Sequence, residues 1–227
     1  MSTKYVMKYL IFSYGRCGTT LLADLIGAHL YYKEFPRSNS DHFQKQDFAI
    51  FDKQNSKEKL EQARVIHTHI LDDRFDEMKK TRTMIYCVRR DILETIASLR
   101  IAEQSQTYNY YTIPEAGGGI DKWQRKVPEN PLKLTDTRVE KLIDSYYDLI
   151  NEYRVNLKQN PNSHLLFFGD WITNFQNIPV ENFSYNLDCN HKFSKKIPIV
   201  KEDWVDYDHL ANQIRRFNNG SLELKLP

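Results

Sequence analysis

The feature that constrains this chain most is the passage from residue 8 to residue 31. Lys8-Tyr9-Leu10-Ile11-Phe12-Ser13-Tyr14 holds an apolar run of strand length. Gly15-Arg16-Cys17-Gly18 then imposes a tight loop, and Thr19 to Tyr31 carries Leu21, Leu22, Leu25, Ile26 and Leu30 at helical spacing. A continuous apolar strand is one covered on both faces, as in a parallel sheet, and parallel neighbours need a crossover between them. A strand, a glycine loop and a helix in that order therefore commit the chain to α/β layering. The same order turns backbone N–H groups and the positive end of a helix dipole toward the loop, an arrangement that holds anions.

Further strand-like runs lie at Arg64–Ile70, Thr83–Val88 and Leu165–Phe168. Between them the pattern predicts a short helix over Asp72–Lys80, acidic early and ending on Lys79 and Lys80, as the dipole prefers. It also predicts a helix through Ile92, Ile96 and Leu99. The longest helix is expected over 136–158, with Val139, Leu142, Ile143, Tyr146, Leu149, Ile150 and Tyr153 on one face, and a final one near Tyr207–Phe217. Alternating strands and helices imply a three-layer α/β/α fold with a central, mainly parallel sheet of P-loop-like type, and ligands at the carboxyl ends of its strands. At 227 residues, one domain over 1–227 is expected. Residues 105–135, with Gly117-Gly118-Gly119, Pro114, Pro128 and Pro131, read as a mobile insertion and a candidate lid.

Composition narrows the function. A net charge of +2 argues against a nucleic-acid binder. Cys17, Cys87 and Cys189 are widely spaced, which indicates neither a metal site nor a disulfide framework. The apolar run near the amino terminus is interrupted by Lys8 and is too short to span a membrane. The expectation is a soluble cytoplasmic protein with reduced thiols.

Ser13-Tyr14-Gly15-Arg16-Cys17-Gly18-Thr19-Thr20 departs from the nucleotide-triphosphate loop GxxxxGK[ST]. Ser13 stands at the first glycine and Thr19 at the lysine, so a kinase is disfavoured while an anion site is retained. Tyr14 to Leu22 resembles the 5′-phosphosulfate loop of sulfotransferases, Pro-(Lys/Arg)-Ser-Gly-Thr-Thr followed by apolar residues, with Gly15 for the proline and Cys17 for the serine. By this resemblance Arg16, Gly18, Thr19, Thr20 and the Cys17 backbone would grip the 5′-phosphosulfate of 3′-phosphoadenosine-5′-phosphosulfate (PAPS).

Arg90 and Ser98 stand eight apart, at a strand exit and inside the next helix, where a forked cation and a neutral donor can meet one phosphate. Val88–Leu99 is similar to the family's 3′-phosphate site, an Arg-Asp-Pro followed by an acidic residue and a serine. Asp91 and Glu94 also match, Ile92 replaces the proline, and Arg89 competes for the arginine's role.

Arg64-Val65-Ile66-His67-Thr68-His69-Ile70 alternates, so His67 and His69 share a face. The run resembles the Lys-Thr-His segment of cytosolic sulfotransferases. That match makes His69 the general-base candidate and puts His67 at a phosphosulfate-contacting lysine. Imidazole titrates near pH 6.5 and suits the task. Glu34, after the first helix, is the rival base by resemblance to carbohydrate-type relatives. Such a role calls for burial to raise its pKa. His164–Trp171 resembles the family's strand ending in Tyr-Glu-Asp-Leu, with Phe168 at the tyrosine. No counterpart of the carboxy-terminal Arg-Lys-Gly loop is found.

The resemblance implies a PAPS-dependent, metal-independent sulfotransferase, passing a sulfuryl group in line to a hydroxyl or amine on a small-molecule, carbohydrate or peptide acceptor. The other two readings are a P-loop-like nucleotide or nucleoside kinase and a non-catalytic protein that binds a phosphorylated ligand.

Overall fold

The computed structural model describes residues 8–34, 49–51, 57–105, 127–183 and 201–225. The chain divides into two compact units, Met1–Arg89 with Tyr146–Tyr185, and Arg90–Ser145 with Asn186–Pro227.

The first unit is built on a five-stranded sheet of β1 (Tyr9–Phe12), β2 (Ala49–Phe51), β3 (Val65–Thr68), β4 (Thr83–Val88) and β5 (Ser163–Phe167). The order is β2-β3-β1-β4-β5, and every pairing is parallel. The apolar opening strand takes the centre, with Tyr9 beside both Val65 and Thr83, and all four of its residues are buried. Alternation gives its two faces different partners. Tyr9 and Ile11 join Val65, Ile85 and Cys87 in a cluster with Leu22, Leu25, Ile26 and Leu30 of α1 (Thr19–Glu34). Phe12 meets Tyr86 edge-on at 6.0 Å, and Tyr86 meets Tyr153 of α5 (Asp136–Gln159) at 5.7 Å. Helices on both faces make three layers.

Of the expected strands, β4 keeps its bounds, β1 and β3 are shorter, and β5 is shifted toward the amino terminus, for local reasons. β1 stops at Phe12 because the Ser13 hydroxyl accepts from Gly15 N at 3.1 Å and starts the turn. β3 stops at Thr68, whose hydroxyl bonds both Ile70 N and Ile70 O. The helix expected at Asp72–Lys80 opens as a 3₁₀ turn, Asp73–Phe75, capped by Asp72, and continues as α3 (Asp76–Thr81). β5 ends one residue early, and Phe168 begins α6 (Phe168–Thr173). Neither β2 nor α2 (Lys57–Gln62) was expected from the pattern.

In the second unit, α4 (Ile92–Ser105) is capped by Asp91, whose carboxylate accepts from Glu94 N at 2.8 Å. The segment 222–224 pairs alongside it, with Ile92 N donating to Leu222 O and Leu224 N to Arg90 O. The final helix, α7 (Tyr207–Phe217), is capped by Asp206 and is tied to α4 through Tyr207 Oη and Glu94 Oε1 at 2.7 Å. Residues 106–126 of the expected insertion lie outside the described residues. Its end is held where Leu132 N donates to Trp204 O and Asp206 N to Leu132 O. Among the described residues no helix is long and apolar enough to cross a membrane.

Candidate functional site: the loop between β1 and α1

Three residues of the loop adopt left-handed backbone: Gly15 at φ 102°, Arg16 at φ 57° and Gly18 at φ 75°. Glycine takes this region without strain, whereas Arg16 does so at a cost of roughly 1 kcal/mol. Interleaving left- and right-handed residues folds successive N–H groups into a concavity for an anion. α1 starts immediately afterwards, with Leu22 N bonded to Gly18 O at 2.9 Å, so the helix dipole points into the same place.

The Cys17 side chain turns away from that concavity. It is fully buried and donates to Gly15 O at 3.2 Å. Burial pushes its thiol up to about 12, against the pull of the Arg89 charge, an Arg89 backbone N–H bonded to the sulfur, and Arg16. The sulfur thus laces the loop to the exit of β4, and only the Cys17 backbone is left to face an anion. Thr19 is buried, and Thr20 and Arg16 are half-buried.

Gly18 is covered closely. A Cβ there would lie 2.6 Å from the Phe168 ring and 3.0 Å from Trp171. Phe168 meets Trp171 edge-on at 5.5 Å, and the Arg89 guanidinium lies 5.4 Å from the Phe168 centroid. The residue expected at the family's tyrosine position therefore packs on the loop and carries an arginine on its ring.

His69 joins this group. Its Nδ1 is 2.7 Å from Ser13 O. A carbonyl only accepts, so Nδ1 is the donor in this bond, and the tautomer this selects for a neutral imidazole has its lone pair on Nε2. His67 lies on β3 in register with Ile11 and is buried at 5% exposure, facing the α1 side. Glu34 is elsewhere. It ends α1, sixteen residues and about 24 Å of helix from the loop. It pairs at 2.9 Å with Arg64, which precedes β3, and its side chain is 44% exposed. The burial that its base role calls for is absent, and the structure does not bring it to the loop.

Arg90 and Ser98 belong to the second unit. Arg90 is exposed just before α4, and Ser98 is buried inside that helix at 7% exposure. Arg89, named only as a competitor from the sequence, is the arginine that the structure sets beside the loop. Tyr146 and Trp171 were not anticipated there at all. Tyr146 reads as part of the apolar face of the long helix and Trp171 only as the end of the segment that resembles Tyr-Glu-Asp-Leu, and both are buried, at 2% and 0% exposure. Among the described residues no group of three His, Cys, Asp or Glu could hold a metal ion.

The fold and loop together define a parallel α/β protein whose first strand–helix loop has left-handed residues and lacks the kinase lysine. Residues 7–178 match the family model of the sulfotransferase domain, and the chain belongs to that family, whose sulfuryl donor is PAPS. Among solved structures it is similar to retinol dehydratase in complex with androsterone and the inactive cofactor PAP. The identity is 14% and the TM-score 0.40, over 93% of this chain and 66% of that one. A second similar structure is retinol dehydratase with retinol and PAP, at 12% identity and TM-score 0.36, over 96% and 71% of the two chains. This chain thus spans about two thirds of the length of the first structure. No curated protein sequence matches it.

Proposed function

We propose that this chain, acting as one sulfotransferase domain, transfers a sulfuryl group from PAPS to an acceptor hydroxyl or amine, with His69 as general base. One observation carries this reading. His69 is hydrogen-bonded to Ser13 O, the residue that opens the phosphate cradle, so a proton acceptor and an anion site sit within one bond of each other. The left-handed residues at the loop and the close cover over Gly18 fit a phosphate group held by backbone.

Bound PAPS supplies an activated sulfuryl group on a phosphosulfate anhydride. Around it, the N–H groups of Cys17, Gly18, Thr19 and Thr20 and the Arg16 guanidinium stabilise negative charge, which is most effective when the donors are already in place. His69 Nε2 takes the acceptor's proton, and Ser13 O holds the ring in the tautomer that can. His67, one register step deeper in β3, supports the same edge. Arg90 and Ser98 provide a cation and a hydroxyl for the 3′-phosphate. Glu34 is set aside as base because it is solvent-exposed and paired with Arg64.

Transfer of labelled sulfate from PAPS to a panel of phenols, sugars and amines tests the activity. His69→Ala is expected to lower turnover about 10²–10⁴-fold while leaving affinity for adenosine 3′,5′-bisphosphate unchanged. Arg16→Ala is expected to weaken that affinity. Thermal shift should report stabilisation by the bisphosphate and none by ATP with Mg²⁺. Stabilisation by ATP with Mg²⁺ alone would favour a kinase, and bisphosphate binding without turnover would favour a non-catalytic binder.

A further inference from the structure

The loop has a neighbour that the sulfuryl-transfer reading leaves unused. α5 feeds β5, and β5 is parallel to β4, so α5 runs antiparallel to the strands. Tyr153 meets Tyr86 at 5.7 Å, which sets the height of the helix against β4. Tyr146 lies seven residues earlier in α5, two turns or about 10 Å nearer the carboxyl ends of the strands. Arg89 lies three residues beyond Tyr86, also about 10 Å along the strand. The two advances match, and they bring the Tyr146 phenol level with Arg89 and the loop. Electrostatics agree, since Cys17, Arg16 and Arg89 all act on this phenol.

Tyr146 is 2% exposed, and its hydroxyl has no hydrogen-bond partner. Leaving a buried hydroxyl without one costs about 1–3 kcal/mol. Arg16 and Arg89, the cations that act on this phenol, have no lone pair to accept its proton, so the partner its O–H lacks is an acceptor. An anion in the loop is the acceptor for which the surrounding backbone is shaped. We propose that Tyr146 is a further donor-binding residue, whose phenolic O–H donates to an oxygen of the phosphate or sulfuryl group held between Gly15 and Thr20. This rests on the reading of that loop as the 5′-phosphosulfate cradle.

Tyr86 provides the internal control. Its hydroxyl is also buried and unpartnered, but it lies deeper, against Phe12 and Tyr153, with Glu152 as the charge that acts on it. The experiment measures binding of adenosine 3′,5′-bisphosphate and of adenosine 3′-monophosphate, together with unliganded melting, for the full chain and for Y146F and Y86F. Y146F is expected to bind the bisphosphate about ten- to a hundredfold more weakly, as befits a lost bond to a charged group. It should bind the 3′-monophosphate, which puts nothing in the loop, as the parent chain does, and should melt no lower than the parent. Y86F should leave both affinities unchanged. Unchanged bisphosphate affinity in Y146F overturns the proposal. So does a Y146F chain that fails to fold or melts lower with affinity intact, because the hydroxyl is then structural. A parent chain that does not bind the bisphosphate removes the phosphosulfate reading itself, and the proposal with it.

Discussion

Gly18 meets two demands at once. Its backbone sits at φ 75°, and a Cβ would strike the Phe168 ring at 2.6 Å. Sequence alone marks it as a loop glycine next to a helix. The close approach of an aromatic ring from 150 residues away is visible only in the fold. Gly18→Ala is expected to destabilise the chain by about 2–4 kcal/mol, combining strain at positive φ with overpacking. Adding Phe168→Ala should recover part of that loss, because the ring is the obstacle. Equilibrium urea unfolding of the two variants measures both effects, and equal stability of the single and double variants would place the cost in the backbone alone. The histidine pair divides in the same way. Alternation put His67 and His69 on one face, and the structure keeps both at the end of β3. The bond from His69 to Ser13 O places that ring at the loop, whereas the His67 ring is buried at 5% exposure. Glu34 shows the opposite case: the helix read from Thr19 to Tyr31 already sets a helix length between it and the loop, and what the sequence does not announce is its ion pair with Arg64.

At the scale of elements, those with long, regular patterns were legible. β4 spans Thr83–Val88 and α7 spans Tyr207–Phe217 as the pattern predicted, because six and eleven residues of one period outweigh local propensity. β2, at three residues, and α2, at six, are too short to carry a period and are held by their surroundings. Arg82 is the clearest support. Buried at 4% exposure, it donates to Leu60 O and Ala63 O at 2.8 Å and to Glu61 O at 3.3 Å, satisfying the carboxy-terminal carbonyls of α2. Asn160 holds the same corner from the turn before β5, donating to Arg82 O and Lys79 O. Arg82→Ala is expected to cost at least about 2 kcal/mol, since several buried carbonyls lose a charged donor together. Chemical denaturation, with amide exchange over residues 57–63, should show the loss centred on α2.

At the scale of the molecule, buried thiols tie stability to alkaline pH. Cys17 and Cys87 ordinarily titrate near 9.0, and burial raises both, Cys17 to about 12. Above pH 9 the unfolded chain releases thiol protons that the folded chain retains, so the folded state binds more protons and stability falls as pH rises. Stability is fully present below pH 9 and declines from there toward 12. Cys17→Ser removes one such proton, and its unfolding free energy should fall less steeply between pH 9 and 11 than that of the parent chain. Parallel slopes for the two would refute this assignment.

What the sequence determined by itself is whatever depends on neighbours in the chain. That includes the strand–loop–helix opening, the parallel layering forced by continuous apolar strands, and the phosphate-loop signature that points to the sulfotransferase family. The tertiary structure decided what depends on distant residues meeting. It set Arg89 over Phe168, turned the Cys17 sulfur inward, paired Glu34 with Arg64, and buried the Tyr146 phenol with no partner. The reason is physical. Periodicity and turn chemistry are written within a few residues, whereas burial, charge proximity and hydrogen-bond satisfaction belong to the packed chain and have no local sign.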